Sequence, residues 1–222
     1  RLTRPEQILQ TLPQAIQVML DPADCGPACI SMSQDVQGEV FDYPEDFFKE
    51  KIHNIRRPRP DDFQIKQAIE KIKSSKNPII ISGGGVFYSD AMDDLANFAV
   101  KHNIPVTQTV MGYSSMKRDH SHFLGPIGGL GGKAANNLAK ETDLAIAVGT
   151  KLGDFTTGSW ANFENPNFSL VSINVARFDA SKHLAQSIIG DAKVSLNELS
   201  QSLGDWKAPD TWYKKSREEL KS

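Results

Sequence analysis

The sequence has little cysteine, no long apolar run and no excess of charge of either sign. Its 222 residues include only two cysteines, too few for a disulfide scaffold. The 25 Lys and Arg are balanced by 27 Asp and Glu, so the basic excess of a non-specific nucleic-acid binder is absent. No run approaches the ~20 apolar residues of a membrane span, and no signal pattern is present. These absences favour a cytoplasmic protein that binds neither nucleic acid nor membranes.

The pattern along the chain predicts an α/β protein. Hydrophobic residues make up 39% of the sequence, enough for a packed core. A helix is predicted over residues 3–20, with Pro13 expected to kink or split it, and a short strand over 28–32. From residue 61, apolar runs alternate with amphipathic helical patterns. Such runs are typical of a Rossmann-like parallel sheet with helices on both faces. The predicted strands of this part are 77–82, 105–109, 143–148, 170–174 and 186–190.

Three glycines follow the first of these strands and form the first candidate binding site. Gly83, Gly84 and Gly85 stand at the predicted carboxyl end of the strand, where open α/β sheets bind ligands. Glycine there lets the backbone approach a phosphate closely. The spacing is not the dinucleotide fingerprint, because Tyr88 occupies the last glycine position. A tight strand-to-helix turn explains the glycines equally well, so both interpretations stay open.

A second glycine-rich segment, 125–132, precedes a predicted helix over 134–140. Helix N-termini attract anions through free N–H groups, which makes Gly128, Gly131 and Gly132 candidate cofactor contacts, with Lys133 beside them. The segment has no Gly-Lys-Ser/Thr sequence, so it is not a P-loop. The competing interpretation, favoured by the segment alone, is a flexible loop at a domain interface.

The loop 149–160 is the third candidate and follows the strand at 143–148. Asp154, Thr156 and Thr157 offer groups that bind a polyol or a nucleotide. Alternatively, the hydroxyl groups satisfy their own backbone.

Other chemistry-bearing residues give weaker signals. His120 and His122 are two apart, so they would face opposite sides of a strand, which disfavours a zinc site. Cys25 and Cys29 lack the spacing of a metal or redox pair and are expected to be packing thiols. No nucleophile has an obvious base. The sequence therefore assigns no catalytic residue and no metal ligand.

Several segments resemble thiamine-diphosphate enzymes of the acetohydroxyacid-synthase type. The resemblance is carried by residues 26–37, 77–85 and 135–152, and it extends over nearly the whole chain. Within that superfamily, the branch that opens a cyclic polyol diketone in inositol catabolism is the most similar. The stretches that point to this branch are 20–27, 41–45, 153–160 and 174–183.

The resemblance implies a piece of a three-domain protein. Residues 1–50 would be the C-terminal part of the pyrimidine-binding domain, the tail of a preceding α/β domain, followed by a linker at 51–60. Residues 61–204 would form the central domain, and 205–222 a linker and the start of the third domain.

The same resemblance implies where the chemistry is located. The family's activating glutamate and its motif for the diphosphate and Mg²⁺ do not occur here, so both cofactors would bind outside this chain. The piece alone would then be inactive. The full-length enzyme would open a small cyclic polyol diketone to a deoxyglucuronate and assemble as a homo-oligomer.

Two other classes compete with this interpretation. One is a decarboxylase or synthase of the same superfamily, similar to acetohydroxyacid synthase or oxalyl-CoA decarboxylase, with FAD or ADP in the middle domain. The segment Asp154–Trp160 argues against it. The other is a dinucleotide-binding module similar to sirtuins or electron-transfer flavoproteins. It would need a catalytic histidine or an adenine signature, and the sequence offers neither.

We expect this chain to bind no FAD. Lys151 stands where the flavin-using relatives have arginine, and lysine cannot reproduce the planar bidentate geometry of a guanidinium group. The visible absorption spectrum of the purified protein checks this. A yellow preparation with a flavin spectrum would contradict the prediction.

Overall fold

The computed structural model describes residues 1–221 and divides the chain into two compact units, Arg1–Arg56 and Arg57–Ser222. The first unit begins with a 3-10 helix, Pro5–Gln7, which leads directly into helix α1, Ile8–Leu20. It continues with α2, Gln34–Gln37, and a second 3-10 helix, Glu45–Phe48. The two units are described separately, and their assignment to named domains stays a prediction.

Two expectations for the first unit are compared with the structure. Pro13 lies inside α1, a single helix of 13 residues, so the proline does not split the helix, and the expected kink stays a prediction. The predicted strand over 28–32 is wrong, because the only strand-like pairing there is an isolated parallel bridge between Leu2 and Met32. Apolar residues at 28–32 give a local strand signal, but a strand needs a hydrogen-bonded neighbour along its length.

The second unit is built on a six-stranded, fully parallel sheet, and the predicted α/β class is confirmed. The strand order is β3-β2-β1-β4-β5-β6. β3 was not predicted from the sequence, and it overlaps the glycine-rich segment 125–132 at Gly125 and Pro126. The strands are β1 Pro78–Ser82, β2 Val106–Gln108, β3 Phe123–Pro126, β4 Leu144–Val148, β5 Ser169–Asn174 and β6 Gln186–Ile189.

In the described residues of this unit, one α-helix precedes the first strand and seven others connect or follow the strands; their numbering continues from α2. Asp61 caps the first of them by accepting a hydrogen bond from the Phe63 N–H at 2.8 Å. No helix within residues 1–221 combines the length and apolar character needed to cross a membrane. The helices are α3 Asp62–Ser74, α4 Gly84–Tyr88, α5 Met92–His102, α6 Lys133–Glu141, α7 Asp154–Thr157, α8 Arg177–Ala180, α9 Ala192–Leu203 and α10 Asp210–Glu219.

Alternate residues of the central strands supply two cores, one on each face of the sheet. Ile80 and Ile146 point to the core covered by α3, α5 and α9. Ile79 and Ala145 point to the opposite core, covered by α6 and α10. Such two-sided burial is why these strands lack the alternation of a half-exposed strand.

Helix α10 packs against this unit through Trp212. The indole is buried in the second core, and its Nε1 donates a hydrogen bond to the Pro78 carbonyl at 2.8 Å. Residues 205–222 were expected to be a linker and the start of another domain. Residues 210–219 form a helix that packs in the second core, and their membership of a further domain stays a prediction.

The rings of the two histidines before β3, His120 and His122, have centroids 5.8 Å apart. Within residues 1–221 no group of three or more His, Cys, Asp and Glu side chains could hold a metal ion. The buried His122 ring stacks on Tyr213, with centroids 4.5 Å apart, and its Nε2 has no hydrogen-bond partner. Burial, together with the positive charges of His120 and Arg217, lowers the pKa of His122 to about 4.

The chain should lose stability as the pH falls from 6.5 to 4. In this window the unfolded state binds a proton at His122 and the folded state does not, so the free energy of unfolding decreases on acidification. The lowered pKa corresponds to about 3 kcal/mol over the window. The substitution His122→Phe keeps a ring against Tyr213 and should remove that part of the pH dependence. Urea unfolding at several pH values measures it.

At pH 8 neither His122 nor the phenylalanine is charged. The difference between the free energies of unfolding of the wild type and His122→Phe at this pH therefore reports packing alone. Parallel pH profiles for the wild type and His122→Phe would contradict the prediction.

Candidate functional site

The strand order reverses between β1 and β4, which makes their carboxyl ends the place where such sheets bind ligands. The loop after β1 contacts the loop after β4 directly. The Gly83 N–H donates to the Val148 carbonyl at 2.8 Å, and the Gly85 N–H donates to the Gly149 carbonyl at 2.9 Å. The backbones of the two loops therefore lie against each other at this point.

Two of the three candidate glycines after β1, Gly83 and Gly85, are needed for this packing. A Cβ at Gly83 would lie 2.3 Å from the Gly149 oxygen, and one at Gly85 would lie 2.6 Å from the Gly149 Cα. Gly84 is less confined, with the Met111 carbonyl oxygen 3.1 Å from its Cβ position. Gly149 itself has a φ of +60°, a conformation that favours glycine. A close approach of protein backbone thus accounts for Gly83 and Gly85, and their predicted contact with a cofactor stays a prediction.

The second glycine segment contacts the third candidate loop. Gly128 has a φ of +102°, and a Cβ there would lie 1.9 Å from the Phe155 oxygen and 2.8 Å from the Thr156 Cα. The neighbouring Gly129 N–H donates to the Phe155 carbonyl at 2.7 Å. The turn before α6 and the short helix α7 therefore form one hydrogen-bonded unit.

Asn136 in α6 stabilises this hydrogen-bonded unit, and its role was not predicted from the sequence. Its Oδ1 accepts from the Gly128 N–H at 2.9 Å, and its Nδ2 donates to the Gly128 carbonyl at 3.0 Å. Asn162 donates to the same Oδ1 at 3.3 Å. The sequence does contain a signal for this role, an asparagine one helical turn after a glycine-rich segment. An amide side chain at that spacing can bond both the N–H and the carbonyl of one residue in the segment.

The other candidate glycines of this segment differ in their surroundings. A Cβ at Gly131 would lie 2.6 Å from the Gly128 nitrogen, so the turn itself requires glycine there. Gly132 caps α6 with a φ of -75°, and the nearest atom to its Cβ position is the Pro126 oxygen at 3.9 Å. The segment is a tightly bonded turn, which differs from the flexible loop that was one of the two expectations.

The two threonines of the third loop, Thr156 and Thr157, differ in their burial and hydrogen bonding. Thr157 is completely buried, and its Oγ1 accepts from the Trp160 N–H at 3.3 Å. Thr156 is half-buried, whereas Asp154, Lys133 and Lys151 are exposed. These three charged side chains are therefore accessible from solvent. The predicted binding roles of Thr156 and Thr157 are not tested by this geometry and stay predictions.

The structure thus groups the predicted residues into two sets. Gly83 and Gly85 lie together with Gly149, and Gly128 lies beside Thr156. In both sets, the atoms nearest to the Cβ positions of the glycines belong to protein backbone. These contacts hold the loops at the carboxyl edge of the sheet in fixed positions. The two sets of residues contain no paired acid and base.

Comparisons with known proteins were made on the sequence and on the fold. The family model described as "Thiamine pyrophosphate enzyme, central domain" matches residues 65–199. A protein from Clostridium perfringens named 3D-(3,5/4)-trihydroxycyclohexane-1,2-dione hydrolase is 46% identical over 203 residues, which are 91% of this chain and 32% of that protein. One of the same name from Bacillus subtilis is 43% identical over 199 residues, covering 90% of this chain and 31% of that protein.

A solved structure shows the same fold. It is an X-ray structure of a Mycobacterium smegmatis protein provisionally assigned as a thiamin diphosphate-dependent enzyme, with a TM-score of 0.72 and 22% identity. The match covers 92% of this chain and 39% of that one. The chain therefore spans about a third of the length of the curated relatives that it matches.

Two alanine substitutions separate the two kinds of glycine in the turn before α6. Gly128→Ala should lower the free energy of unfolding by about 3 kcal/mol, because the new Cβ meets the Phe155 oxygen and the φ is unfavourable. Gly132→Ala should change it by less than about 1 kcal/mol, since the site has room and an ordinary φ. Urea unfolding of the two variants measures both values. Equal losses would contradict the assignment of Gly128 to packing.

Proposed function

The chain belongs to the thiamine pyrophosphate enzymes through their central domain, and from this premise we propose that it is the central portion of a longer trihydroxycyclohexane-1,2-dione hydrolase. The observation that carries the proposal is the 46% identity, over 91% of the chain, to relatives of that name. The full-length protein would use water to cleave a C–C bond of the cyclic diketone. The product would be 5-deoxyglucuronate, as a step of myo-inositol catabolism.

Thiamine diphosphate and Mg²⁺ would be held outside this chain. Residues 1–221 offer no group of three or more His, Cys, Asp and Glu side chains for a metal ion. The glycines nearest the switch point of the sheet are closed off by the backbone at Gly149. The residues present therefore do not fit the metal and diphosphate, and no step of the reaction is assigned to them.

The role proposed for this chain is structural support at the carboxyl edge of the sheet. Gly128 and Asn136 hold the turn before α6 against α7, and the loop between β4 and β5 is tied back through Asn162. This bonding fixes the position of the segment 153–160. We assign no catalytic residue to the chain, and we propose that the full-length enzyme is a homo-oligomer with a small cyclic polyol diketone as its substrate.

The full-length protein should open trihydroxycyclohexane-1,2-dione only when thiamine diphosphate and Mg²⁺ are both supplied. The cofactor is expected to supply the electron sink for cleavage next to a carbonyl group. Formation of 5-deoxyglucuronate, followed by chromatography, measures the activity. Consumption of pyruvate or an acyl-CoA in place of the diketone would contradict the proposal and favour a synthase or decarboxylase of the same superfamily.

The 222-residue chain is the matched control for this assay. With both cofactors and the diketone present it should give no turnover, because the groups proposed to bind and activate the cofactor are outside it. Turnover by this chain alone would contradict the placement of the cofactor site.

A further inference from the structure

Two short segments of the second unit have a backbone conformation that their residues disfavour. Ser159 and Trp160 have φ values of +52° and +70°, and His183 and Leu184 have values of +60° and +57°. Side chains with a Cβ are strained in this left-handed region, and bulky ones are rarest there. Elsewhere in the described residues, no two consecutive residues other than glycine have a positive φ. We call these segments the two left-handed pairs.

The two left-handed pairs lie in different connections of the sheet, and they contact each other. One pair is in the connection from β4 to β5, and the other is in the connection from β5 to β6. The ring centroids of Trp160 and His183 are 4.4 Å apart, and the ring planes make an angle of 60°. Backbone strain persists only where surrounding contacts hold it in place. This ring contact joins the two strained segments directly, so it can hold both.

Trp160 is anchored on the side away from His183. Its ring centroid lies 5.5 Å from that of Phe163 and 6.4 Å from that of Phe168, and all three side chains pack against the second core. Its N–H donates to Oγ1 of the buried Thr157 at 3.3 Å. The indole therefore connects an interior that is firmly packed to an exposed loop that is strained.

The first left-handed pair follows α7 directly and is hydrogen-bonded to it. The Ser159 N–H donates to the Asp154 carbonyl at 3.3 Å. Within α7, the Phe155 carbonyl accepts from the Gly129 N–H at 2.7 Å, which joins the helix to the turn before α6. Rotation of Ser159 to a negative φ would redirect the chain at the end of α7. The position of this four-residue helix therefore depends on the strained residues that follow it.

We propose that the two left-handed pairs form a strained clasp, closed by the contact between Trp160 and His183, that sets the position of α7. With the rings in contact, the strain is held and α7 bonds to the turn before α6. When the rings separate, Ser159 and Trp160 relax to a negative φ, and the hydrogen bond between Phe155 and Gly129 breaks. The clasp is a conformational device within this chain and does not depend on the proposed function.

Hydrogen exchange at the Gly129 N–H of the full-length protein measures how often the clasp opens, and mass spectrometry with fragmentation of the peptides resolves it. His183→Ala removes an exposed ring and should speed this exchange by roughly three- to tenfold, the loss expected for one aromatic contact. Ser159→Gly should slow it about threefold, because glycine relieves the strain of the closed clasp. Glycine usually loosens a loop, so slower exchange is specific to strain.

Ala161→Gly is the matched control. Ala161 is exposed and follows Trp160 directly, but its φ is not positive, so glycine relieves no strain there. This variant should exchange at Gly129 at the wild-type rate or faster. Equal slowing by Ala161→Gly and Ser159→Gly would overturn the proposal. So would a Ser159→Gly protein that exchanges no more slowly than the wild type, or an unchanged rate in His183→Ala.

The dependence of exchange on urea separates opening of the clasp from unfolding of the sheet. Local opening exposes little surface, so low concentrations of urea should barely change exchange at Gly129 while speeding it at Ile146 in β4. The same urea dependence at both positions would mean that Gly129 exchanges only by global unfolding, which would overturn the proposal. No substrate is needed, so the result is independent of whether the full-length protein opens the diketone.

Discussion

The close approach of two backbone segments at the centre of the sheet is the constraint on which this fold depends. β1 and β4 are neighbours, and the chain leaves them in opposite directions, towards β2 on one side and β5 on the other. Their following loops must therefore separate within a few residues. Gly83 and Gly85 let one loop lie on Gly149 of the other at distances that no Cβ would permit. Without that contact, α4 and the segment after β4 could not both begin at the ends of their strands.

Much of the layered fold could be predicted because central parallel strands are apolar along their whole length. β1 and β4 are almost entirely apolar, whereas β5 also contains two serines and an asparagine; all three were placed to within one residue at either end. The matching family model confirms the resemblance to thiamine-diphosphate enzymes. β3 was missed for a physical reason. It is an edge strand that contains Gly125 and ends at Pro126, and both residue types are depleted in strands. Its pairing with β2 comes from tertiary contact rather than from local preference.

The candidate site illustrates a different limit of sequence reasoning. A glycine after a strand indicates that something approaches the backbone closely, but the sequence does not say whether that is a phosphate or another part of the protein. At Gly83, Gly85 and Gly128 the structure supplies a protein backbone as the neighbour. Thr157 presents the same ambiguity, since its hydroxyl accepts the Trp160 N–H. Asn136 was not predicted, because an asparagine one helical turn after a glycine-rich segment does not by itself reveal contacts that join two loops.

These observations together favour a supporting role for the chain over a catalytic one. A binding edge normally leaves polar groups free to meet a ligand. Here the backbone groups nearest the switch point bond to each other, while large apolar side chains project from the surrounding loops. The supporting role proposed for this chain rests on that pairing, since an N–H group that already donates to a carbonyl within the chain has no hydrogen left to donate to a ligand.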